Sequence, residues 1–292
     1  SDSLTFGTSF YINNSSYKNT IASGSFSNIN SIELKRTISS YYEVFGAKLN
    51  DNNKILDDVA EYYTVNTLPK PGGRMTEIIE QMWGVGSVGV ITGPNLADEL
   101  VLRQPAGAVA AAASQDLADF IRELFRTPYY RTYTSTDVMG CELAGAIKSV
   151  IALSVGISIG MGFGENTQAM LITRGLNEVA RLCAAHGSDP LTAAGLAGMG
   201  DLVASCGSPL SRNRTFGEVL GRTGSMEITR QQVAKTVEGV ASAGAVVEIA
   251  HRVGVEVPVI ESVADIVNGS LTPEAALQRL MEITTKAENF IR

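Results

Sequence analysis

Histidine, cysteine and tryptophan are scarce in this sequence, and their scarcity excludes several kinds of site. Among 292 residues there are two histidines, three cysteines and one tryptophan. Cys141, Cys183 and Cys206 are odd in number and widely spaced, which is typical of reduced core thiols and not of a disulfide framework or a metal site. His186 and His251 lie far apart in sequence, and core or surface roles are the ordinary ones for isolated histidines. We therefore expect no metal, and a Ser-His-Asp hydrolase is poorly supported.

Basic charge is also in short supply. The chain has 23 Lys and Arg against 30 Asp and Glu, which gives a net charge of −7 and a pI near 5.0. Binding along a nucleic acid requires a basic face, so we expect no nucleic-acid partner, and an anionic ligand must be bound by a local pocket. No N-terminal stretch joins a basic start to a continuous apolar run, and no uninterrupted apolar segment of about 18 residues occurs. These patterns predict a cytoplasmic protein without a membrane span.

Strand and helix patterns alternate between Met75 and Ser135, after 66 residues with weak fold signals. Helices are predicted at 75–83 and 114–127, and strands at 88–92, 106–113 and 129–135. Ser114 is the expected N-cap of the second helix. Such alternation is typical of an α/β domain.

Beyond Asp137 the strand patterns nearly vanish, and helical patterns follow one another to the end of the chain. They cover 142–162, 166–187, 191–205, 228–252, 258–268 and 273–290. The sequence therefore predicts two domains, an α/β domain over 1–136 and an all-helical domain over 137–292.

The helix predicted at 142–162 is apolar on most faces, which indicates a buried central helix with Lys148 as its one charged interior residue. Burying an ammonium is costly, so Lys148 needs either a lowered pKa or a nearby carboxylate, and both are features of a lysine that transfers protons. The alternative is that Lys148 extends to the surface beside Gly145 and Ser149. Asp201, which lies among small residues, is the carboxylate that could face the same cavity.

Several groups that bind oxyanions follow Asp201 within the segment 195–217. Ser208-Pro209 is predicted to be an N-cap and the first helical residue, which would place Arg212 and Asn213 in the first turn of a helix. There the unpaired N–H groups and the helix dipole favour a phosphate, and the arginine adds a bidentate donor. The alternative is an ordinary solvated helix start with basic residues.

A G-x-G-x-x-G pattern at Gly84–Gly89 suggests a dinucleotide fingerprint, but its context is wrong. The fingerprint must follow a strand and open a helix, whereas here a predicted helix precedes it and a predicted strand follows. We interpret it as a turn between elements. The better candidate for a ligand loop is 93–97, at the end of the strand predicted at 88–92.

Five segments carry a resemblance to one family. They are ITGPNLADE (91–99), FRTPYYRTYTSTDVMGCELAGAIKSVIAL (125–153), GFGENTQAMLITRGLNEVARL (162–182), GLAGMGDLVASCGSPLSRNRTFG (195–217) and VEGVASA (237–243). Together they resemble the bacterial type of NAD(P)-dependent sn-glycerol-3-phosphate dehydrogenase. The resemblance implies a Rossmann-like dinucleotide-binding domain followed by an all-helical substrate domain, with NAD or NADP as cofactor. It also implies interconversion of glycerol 3-phosphate and dihydroxyacetone phosphate, which supplies glycerophospholipid synthesis.

The same resemblance implies roles for individual residues. Lys148 and Asp201 match the catalytic positions. The implied substrate-binding residues are Lys70, Gly93, Asn95, Lys148, Asp201, Ser211, Arg212 and Asn213. The implied cofactor-binding residues are Thr5, Phe6, Lys70, Ala97, Arg212, Val237 and Glu238.

The N-terminal part departs from the family pattern, because about 70 residues are too few for two complete βαβαβ halves at roughly 30 residues per βαβ unit. Two functions therefore stay open. One is the dehydrogenase, and the other is a catalytically inactive homologue that binds a phosphorylated ligand without a working cofactor site. A homodimer is the default expectation for the assembly.

Overall fold

The computed structural model describes residues 88–233 and 237–284, together with residues 74–77, residue 80 and the strand backbone at 10–13. The chain divides into two compact units, Ser1–Val138 and Met139–Arg292. The assignment of a dinucleotide-binding domain to 1–136 and a substrate domain to 137–292 stays a prediction.

The described strands of the first unit form one mixed sheet. They are β1 (Phe10–Asn13), β2 (Val88–Thr92), β3 (Ala106–Ala112) and β4 (Tyr130–Ser135), in that spatial order. β1 pairs antiparallel with β2, and β2 with β3, whereas β3 and β4 are parallel. Helix α1 (Ala97–Val101) connects β2 to β3, and helix α2 (Gln115–Phe125) connects β3 to β4. The α/β class and the three predicted strands are confirmed, although two antiparallel pairs distinguish this sheet from a purely parallel one.

Helix α2 packs on the sheet because its apolar side chains share one face. Leu117 and Ile121 are almost completely buried, and the alanines of β3 leave room for them. The hydroxyl of Ser114 accepts a hydrogen bond from the Leu117 N–H at 3.1 Å, which confirms Ser114 as the N-cap. Val88 and Gly89 belong to β2, as expected for a glycine pattern that precedes a strand, while 84–87 lie outside the described residues. Residues 75–77 and 80 are helical, as predicted.

The elements of regular secondary structure among the described residues of the second unit are all helices. Its α-helices are α3 (Val138–Gly160), α4 (Glu165–Ala185), α5 (Asp201–Gly207), α6 (Arg212–Thr223), α7 (Met226–Gln232), α8 (Glu238–Arg252), α9 (Pro258–Asn268) and α10 (Pro273–Glu282). A 3₁₀-helix (Pro190–Ala194) and a π-helical turn (Leu196–Gly200) precede α5. All three cysteines are buried thiols, and burial raises the pKa of Cys206 to about 12.

Several predicted helix boundaries in this unit were wrong. The pattern at 191–205 is divided into a 3₁₀-helix, a π-helical turn and α5. Gly195 separates the first two, because it adopts an extended conformation with φ −84° and ψ −170°, whereas the π-helical turn continues directly into α5 at Asp201. The helix predicted at 228–252 is two helices, since α7 ends at Gln232 and α8 begins at Glu238. Helix α10 ends at Glu282, and the remainder of the predicted helix from 285 onward lies outside the described residues.

Helix α3 is the central element of the second unit. Among the described residues it alone is long and apolar enough to cross a membrane, but 78% of its most apolar stretch is buried inside the protein. Its side chains form the middle of the main hydrophobic cluster, including Ile147, Ile151 and Leu153. The prediction of a buried central helix is confirmed, and this burial accounts for the apolar composition.

Helices α3 and α6 touch backbone to backbone. Each contributes two glycines four residues apart, and a Cβ atom on any of them would overlap a carbonyl oxygen of the other helix. The four are Gly156 and Gly160 on α3, and Gly217 and Gly221 on α6. Because residues four apart lie on one face of a helix, both pairs fall on the contact line, and no larger residue fits there without separating the helices.

A buried glutamate connects α4 to the first turn of α9 by hydrogen bonds. Glu178 of α4 is 1% exposed, and its two carboxyl oxygens accept hydrogen bonds from the N–H groups of Val259 at 2.8 Å and Ile260 at 3.1 Å. These N–H groups belong to the first turn of α9, which has no partner for them within the helix. Burial raises the pKa of Glu178 to about 8, against the opposing effect of the two N–H donors.

The glycine contact predicts opposite effects for two glycine-to-alanine changes. Gly217→Ala should lower the free energy of unfolding by about 1–3 kcal/mol, because its new Cβ would meet the Leu153 carbonyl oxygen. Gly244→Ala is the control, since Gly244 lies inside α8 with open space at its Cβ position, and alanine there should add about 0.5–1 kcal/mol. Urea denaturation of both variants measures the difference. Equal effects at the two positions would contradict the packing account.

Glu178 predicts a pH-dependent stability difference. Its folded-state pKa of about 8 lies above its ordinary value of 4.5, so its contribution to stability is complete below the lower value and is lost as the pH rises through the higher one. The amide that replaces the carboxyl in Glu178→Gln has no proton to lose. The free energy of unfolding of the parent should therefore fall relative to that variant by on the order of 2 kcal/mol between about pH 6 and 8. Denaturation curves at several pH values measure this, with Glu248→Gln as a surface control. A constant difference would disprove the assignment.

Candidate active site

The second unit contains a buried ion pair between Lys148 of α3 and Asp201 at the start of α5. The lysine Nζ donates to the aspartate Oδ2 at 2.5 Å, and the two residues are 5% and 3% exposed. The alternative in which Lys148 extends to the surface is therefore wrong, because its ammonium group is paired within the core. This is the carboxylate partner that the apolar helix required.

Asp201 is held in place by the turn that precedes it and by the helix that it begins. The π-helical turn ends at Gly200, and Gly198 within it packs so closely on Ala193 that a Cβ would overlap the backbone there. One turn further along α5, the hydroxyl of Ser205 donates to Oδ1 of Asp201 at 3.4 Å. Burial raises the pKa of Asp201, and Lys148 and Ser205 oppose the rise. Ser205 was not among the predicted site residues, although its i+4 spacing from Asp201 is a usable signal.

The helix that carries Arg212 begins three residues later than predicted. Ser208 ends α5, and its hydroxyl accepts from the Leu210 N–H at 3.2 Å in a turn, so Ser208-Pro209 is not an N-cap. Ser211 is the N-cap instead, with its hydroxyl accepting from the Arg214 N–H at 3.3 Å. Arg212 and Asn213 are the first two residues of α6, so their predicted place in a first helical turn is confirmed.

Asn213 joins this helix start to a second one. Its Oδ1 accepts a hydrogen bond from the N–H of Gly239 at 2.8 Å, in the first turn of α8. The N-termini of α6 and α8 are therefore neighbours, and both present N–H groups that have no acceptor within their own helix, together with the positive ends of helix dipoles. The hydrogen bond from Gly239 orients the side-chain amide of Asn213. Its NH₂ group is the part of the side chain that can donate a hydrogen bond to an anion.

Glu238 links Arg212 to the helix that carries Lys148. Its Oε1 lies 3.4 Å from Nη2 of Arg212, and its Oε2 accepts from the hydroxyl of Ser149 at 3.2 Å. Ser149 follows Lys148 on α3, and Gly239 lets α8 approach that point, because a Cβ on it would lie 2.5 Å from the Ser149 carbonyl oxygen. The structure thus brings together six of the predicted site residues. They are Lys148, Asp201, Ser211, Arg212, Asn213 and Glu238, with Val237 buried as the N-cap of α8.

The predicted loop of the first unit has its own polar arrangement. Gly93, at φ +142°, ends β2 in a conformation that favours glycine, and Ala97 begins α1. The Oδ1 of Asn95 accepts from the Tyr130 hydroxyl at 2.8 Å, while its buried Nδ2 has no hydrogen-bond partner among the described residues. A buried amide donor without a partner is costly, which is consistent with a ligand at this loop. Thr5, Phe6 and Lys70 lie outside the described residues.

The part of the chain that the structure describes does not meet the requirements of a metal site. Within it, no group of three or more His, Cys, Asp or Glu residues could hold a metal ion. The chemistry that the described site can support is proton transfer by Lys148 and recognition of an anion at the paired helix starts.

The buried ion pair predicts that its two residues are not independent. Asp201→Leu should cost about 3–5 kcal/mol of folding free energy, because it leaves the Lys148 ammonium buried without a partner. Lys148→Met should cost less, since a carboxyl with a raised pKa can take up a proton. The double variant replaces both charges with apolar groups and should recover most of the loss, as measured by urea denaturation. Additive losses in the double variant would show that the two groups do not interact.

Comparisons with known proteins place these features in a family. Residues 137–278 match the family described as NAD-dependent glycerol-3-phosphate dehydrogenase C-terminus, and residues 68–118 match the corresponding N-terminus. The glycerol-3-phosphate dehydrogenase [NAD(P)+] of Streptomyces avermitilis is 50% identical over 217 residues, which are 74% of this chain. The chain spans 65% of the length of that relative.

Solved structures agree with the sequence comparisons. The crystal structure of glycerol-3-phosphate dehydrogenase from Coxiella burnetii has a TM-score of 0.68 and 34% identity, covering 71% of this chain and 64% of its own. The structure of the Dunaliella salina protein DsGPDH shares the fold at a TM-score of 0.66 and 21% identity, over 80% of this chain and 45% of its own. By its sequence and its fold, the chain belongs to the NAD(P)-dependent glycerol-3-phosphate dehydrogenase family.

Proposed function

We propose that this chain interconverts sn-glycerol 3-phosphate and dihydroxyacetone phosphate, with NAD or NADP as the hydride carrier. The observation that carries the proposal is the buried Lys148–Asp201 pair, which the Ser149–Glu238 contact connects to the anion-binding start of α6. The bacterial relatives are named glycerol-3-phosphate dehydrogenase [NAD(P)+], which supports the same reaction and cofactor. We also infer a cytoplasmic homodimer that supplies glycerophospholipid synthesis, as the family resemblance implies.

Lys148 is the proposed proton carrier. In the oxidative direction its neutral amine would take the proton of the C2 hydroxyl, and in the reductive direction its ammonium would return that proton. A bound nicotinamide would supply the hydride chemistry at C2. Asp201 stabilises the ammonium form through the 2.5 Å hydrogen bond and fixes the position of Nζ. Because both groups are buried, water competes little for this proton.

The substrate phosphate is proposed to bind at the start of α6. Arg212 supplies a bidentate donor, Asn213 supplies its amide NH₂, and Ser211 supplies a hydroxyl hydrogen in addition to capping the helix. The dipoles of α6 and α8 add positive potential at the same place. A chain with a net charge of −7 needs such concentrated local donors to attract a phosphate.

The remaining proposed ligand contacts come from both units. In the first unit, Gly93 and Asn95 are assigned to the substrate and Ala97 to the cofactor, and the unpartnered Nδ2 of Asn95 fits a ligand with acceptor oxygens. In the second unit, the proposed cofactor contacts are Arg212, Val237 and Glu238. Lys70, Thr5 and Phe6 stay assigned by resemblance alone.

The test of the function is a nicotinamide absorbance assay on the full chain with glycerol 3-phosphate and with unphosphorylated glycerol. The parent should turn over the phosphorylated substrate, and Lys148→Met should lose about 10²- to 10⁴-fold in kcat, because it lacks the proton carrier. Arg212→Lys keeps the charge but loses the bidentate geometry, so it should lose about 1.5–3 kcal/mol in kcat/KM for glycerol 3-phosphate and little for glycerol.

Three results would contradict parts of this proposal. A kcat equal to that of the parent in a folded Lys148→Met protein would show that Lys148 does not carry the proton. Equal losses in kcat/KM for glycerol 3-phosphate and for glycerol in Arg212→Lys would show that Arg212 does not bind the phosphate. Binding of glycerol 3-phosphate without turnover with NAD or NADP would favour the inactive, ligand-binding homologue.

A further inference from the structure

Arg212 is paired in this structure with a carboxylate of its own chain. Its Nη2 lies 3.4 Å from Oε1 of Glu238, and the side chains are 42% and 31% exposed. The second carboxylate oxygen accepts from the buried hydroxyl of Ser149 at 3.2 Å. Glu238 is therefore held at two points, by the arginine on α6 and by the helix that carries Lys148.

This place favours a negative charge whichever group supplies it. Glu238 is the first residue of α8, where the helix dipole stabilises an anion, and the start of α6 is adjacent through the Asn213–Gly239 hydrogen bond. A carboxylate and a phosphate present similar oxygen atoms to a guanidinium, so the two compete for the same donors. A phosphate on Arg212 would also lie near the Glu238 carboxylate, and like charges at that distance repel each other.

We propose that Glu238 is an internal counter-anion of Arg212 and that it determines how selectively the site takes phosphorylated substrates. The carboxylate holds the guanidinium in the ligand-free chain, and Ser149 holds the carboxylate. A phosphate dianion displaces Glu238 from the arginine, whereas a neutral polyol or a singly charged carboxylate gains too little to do so. The inference rests on the proposed function, because it takes Arg212 as the phosphate-binding residue.

If Glu238 is a counter-anion of Arg212, its negative charge lowers the affinity of the site for phosphate. Removing that charge should tighten binding, since the phosphate then has no carboxylate to displace from the arginine and no negative neighbour at this position. For a partly exposed pair the expected gain is about two- to tenfold in Kd. A residue that only supported the fold would weaken binding when changed.

The experiment is isothermal titration of the full chain, without cofactor, with inorganic phosphate and separately with sn-glycerol 3-phosphate. Glu238→Gln should bind both about two- to tenfold more tightly than the parent. Glu248→Gln is the matched control, because it removes the same charge from an ion pair with Arg252 on the same helix, and it should change Kd by less than about twofold. Ser149→Ala releases the carboxylate without removing it and should give a smaller gain.

A second pair of variants tests whether the gain acts through the arginine. In an Arg212→Met background, Glu238→Gln should tighten binding clearly less than it does with Arg212 present, because only the removal of a neighbouring negative charge remains. An equal gain in the two backgrounds, or weaker or unchanged phosphate binding in Glu238→Gln alone, would overturn the inference. If Glu238→Gln fails to fold by circular dichroism, unchanged or weaker binding in Ser149→Ala overturns it instead.

The outcome separates this inference from the proposed function. A parent that turns over glycerol 3-phosphate with no gain in Glu238→Gln would disprove the role of Glu238 alone. A parent without turnover whose phosphate binding tightens in Glu238→Gln would disprove the dehydrogenase activity alone. Absence of phosphate binding in every variant would disprove both the anion site and the role of Glu238.

Discussion

The backbone contact between α3 and α6 fixes the geometry on which the rest of the site depends. Helix α3 carries Lys148 and Ser149, and α6 carries Arg212 and Asn213 at its first turn. With glycines at the contact, the separation of the two helices is set by backbone atoms, which are stiffer than side chains. The relative positions of Lys148 and of the helix start with Arg212 and Asn213 are therefore properties of the fold, and no ligand is needed to define them.

The electrostatics of the site follow from this packing. A buried ammonium needs a carboxylate, and the turn before α5 supplies Asp201 at hydrogen-bonding distance. An exposed arginine beside two helix N-termini favours an anion, and Glu238 supplies one. Both of these positive groups thus have an acidic partner within the unit. The two pairs differ in burial. The Lys148–Asp201 pair is shielded from solvent, whereas the Arg212–Glu238 pair is partly exposed, and for this reason we propose that only the second exchanges with a ligand.

The sequence predicted the contact between Lys148 and Asp201 better than it predicted the helix boundaries around it. A single lysine in an apolar helix requires a partner on energetic grounds, and for this reason the contact between Lys148 and Asp201 could be anticipated. The N-cap at Ser211 was missed because Ser208-Pro209 has the stronger local N-cap pattern. In the structure, the Ser208 hydroxyl accepts a hydrogen bond from the Leu210 N–H and stabilises a turn before the helix. The breaks at Gly195 and after Gln232 depend on tertiary packing, which local periodicity does not contain.

Contacts between distant segments were beyond the reach of sequence patterns. Nothing near Glu178 in the sequence indicates that its carboxyl caps α9, because the hydrogen bonds to Val259 and Ile260 arise only when the helices pack. The same holds for the hydroxyl of Ser149 and for the acceptor role of Asn213. Apolar spacing predicts which face of a helix is buried, but it does not predict which polar groups then meet.

The hydrogen bond from Gly239 to Asn213 affects how strongly an anion can stabilise the folded protein. It brings two helix N-termini side by side, and the Glu238 carboxylate offsets only part of the repulsion between their partial positive charges. An anion bound there acts as a structural ion as well as a ligand, since it neutralises both helix ends at once. Phosphate in a storage buffer would then raise the melting temperature by mass action, in proportion to the logarithm of its concentration, even when no reaction takes place.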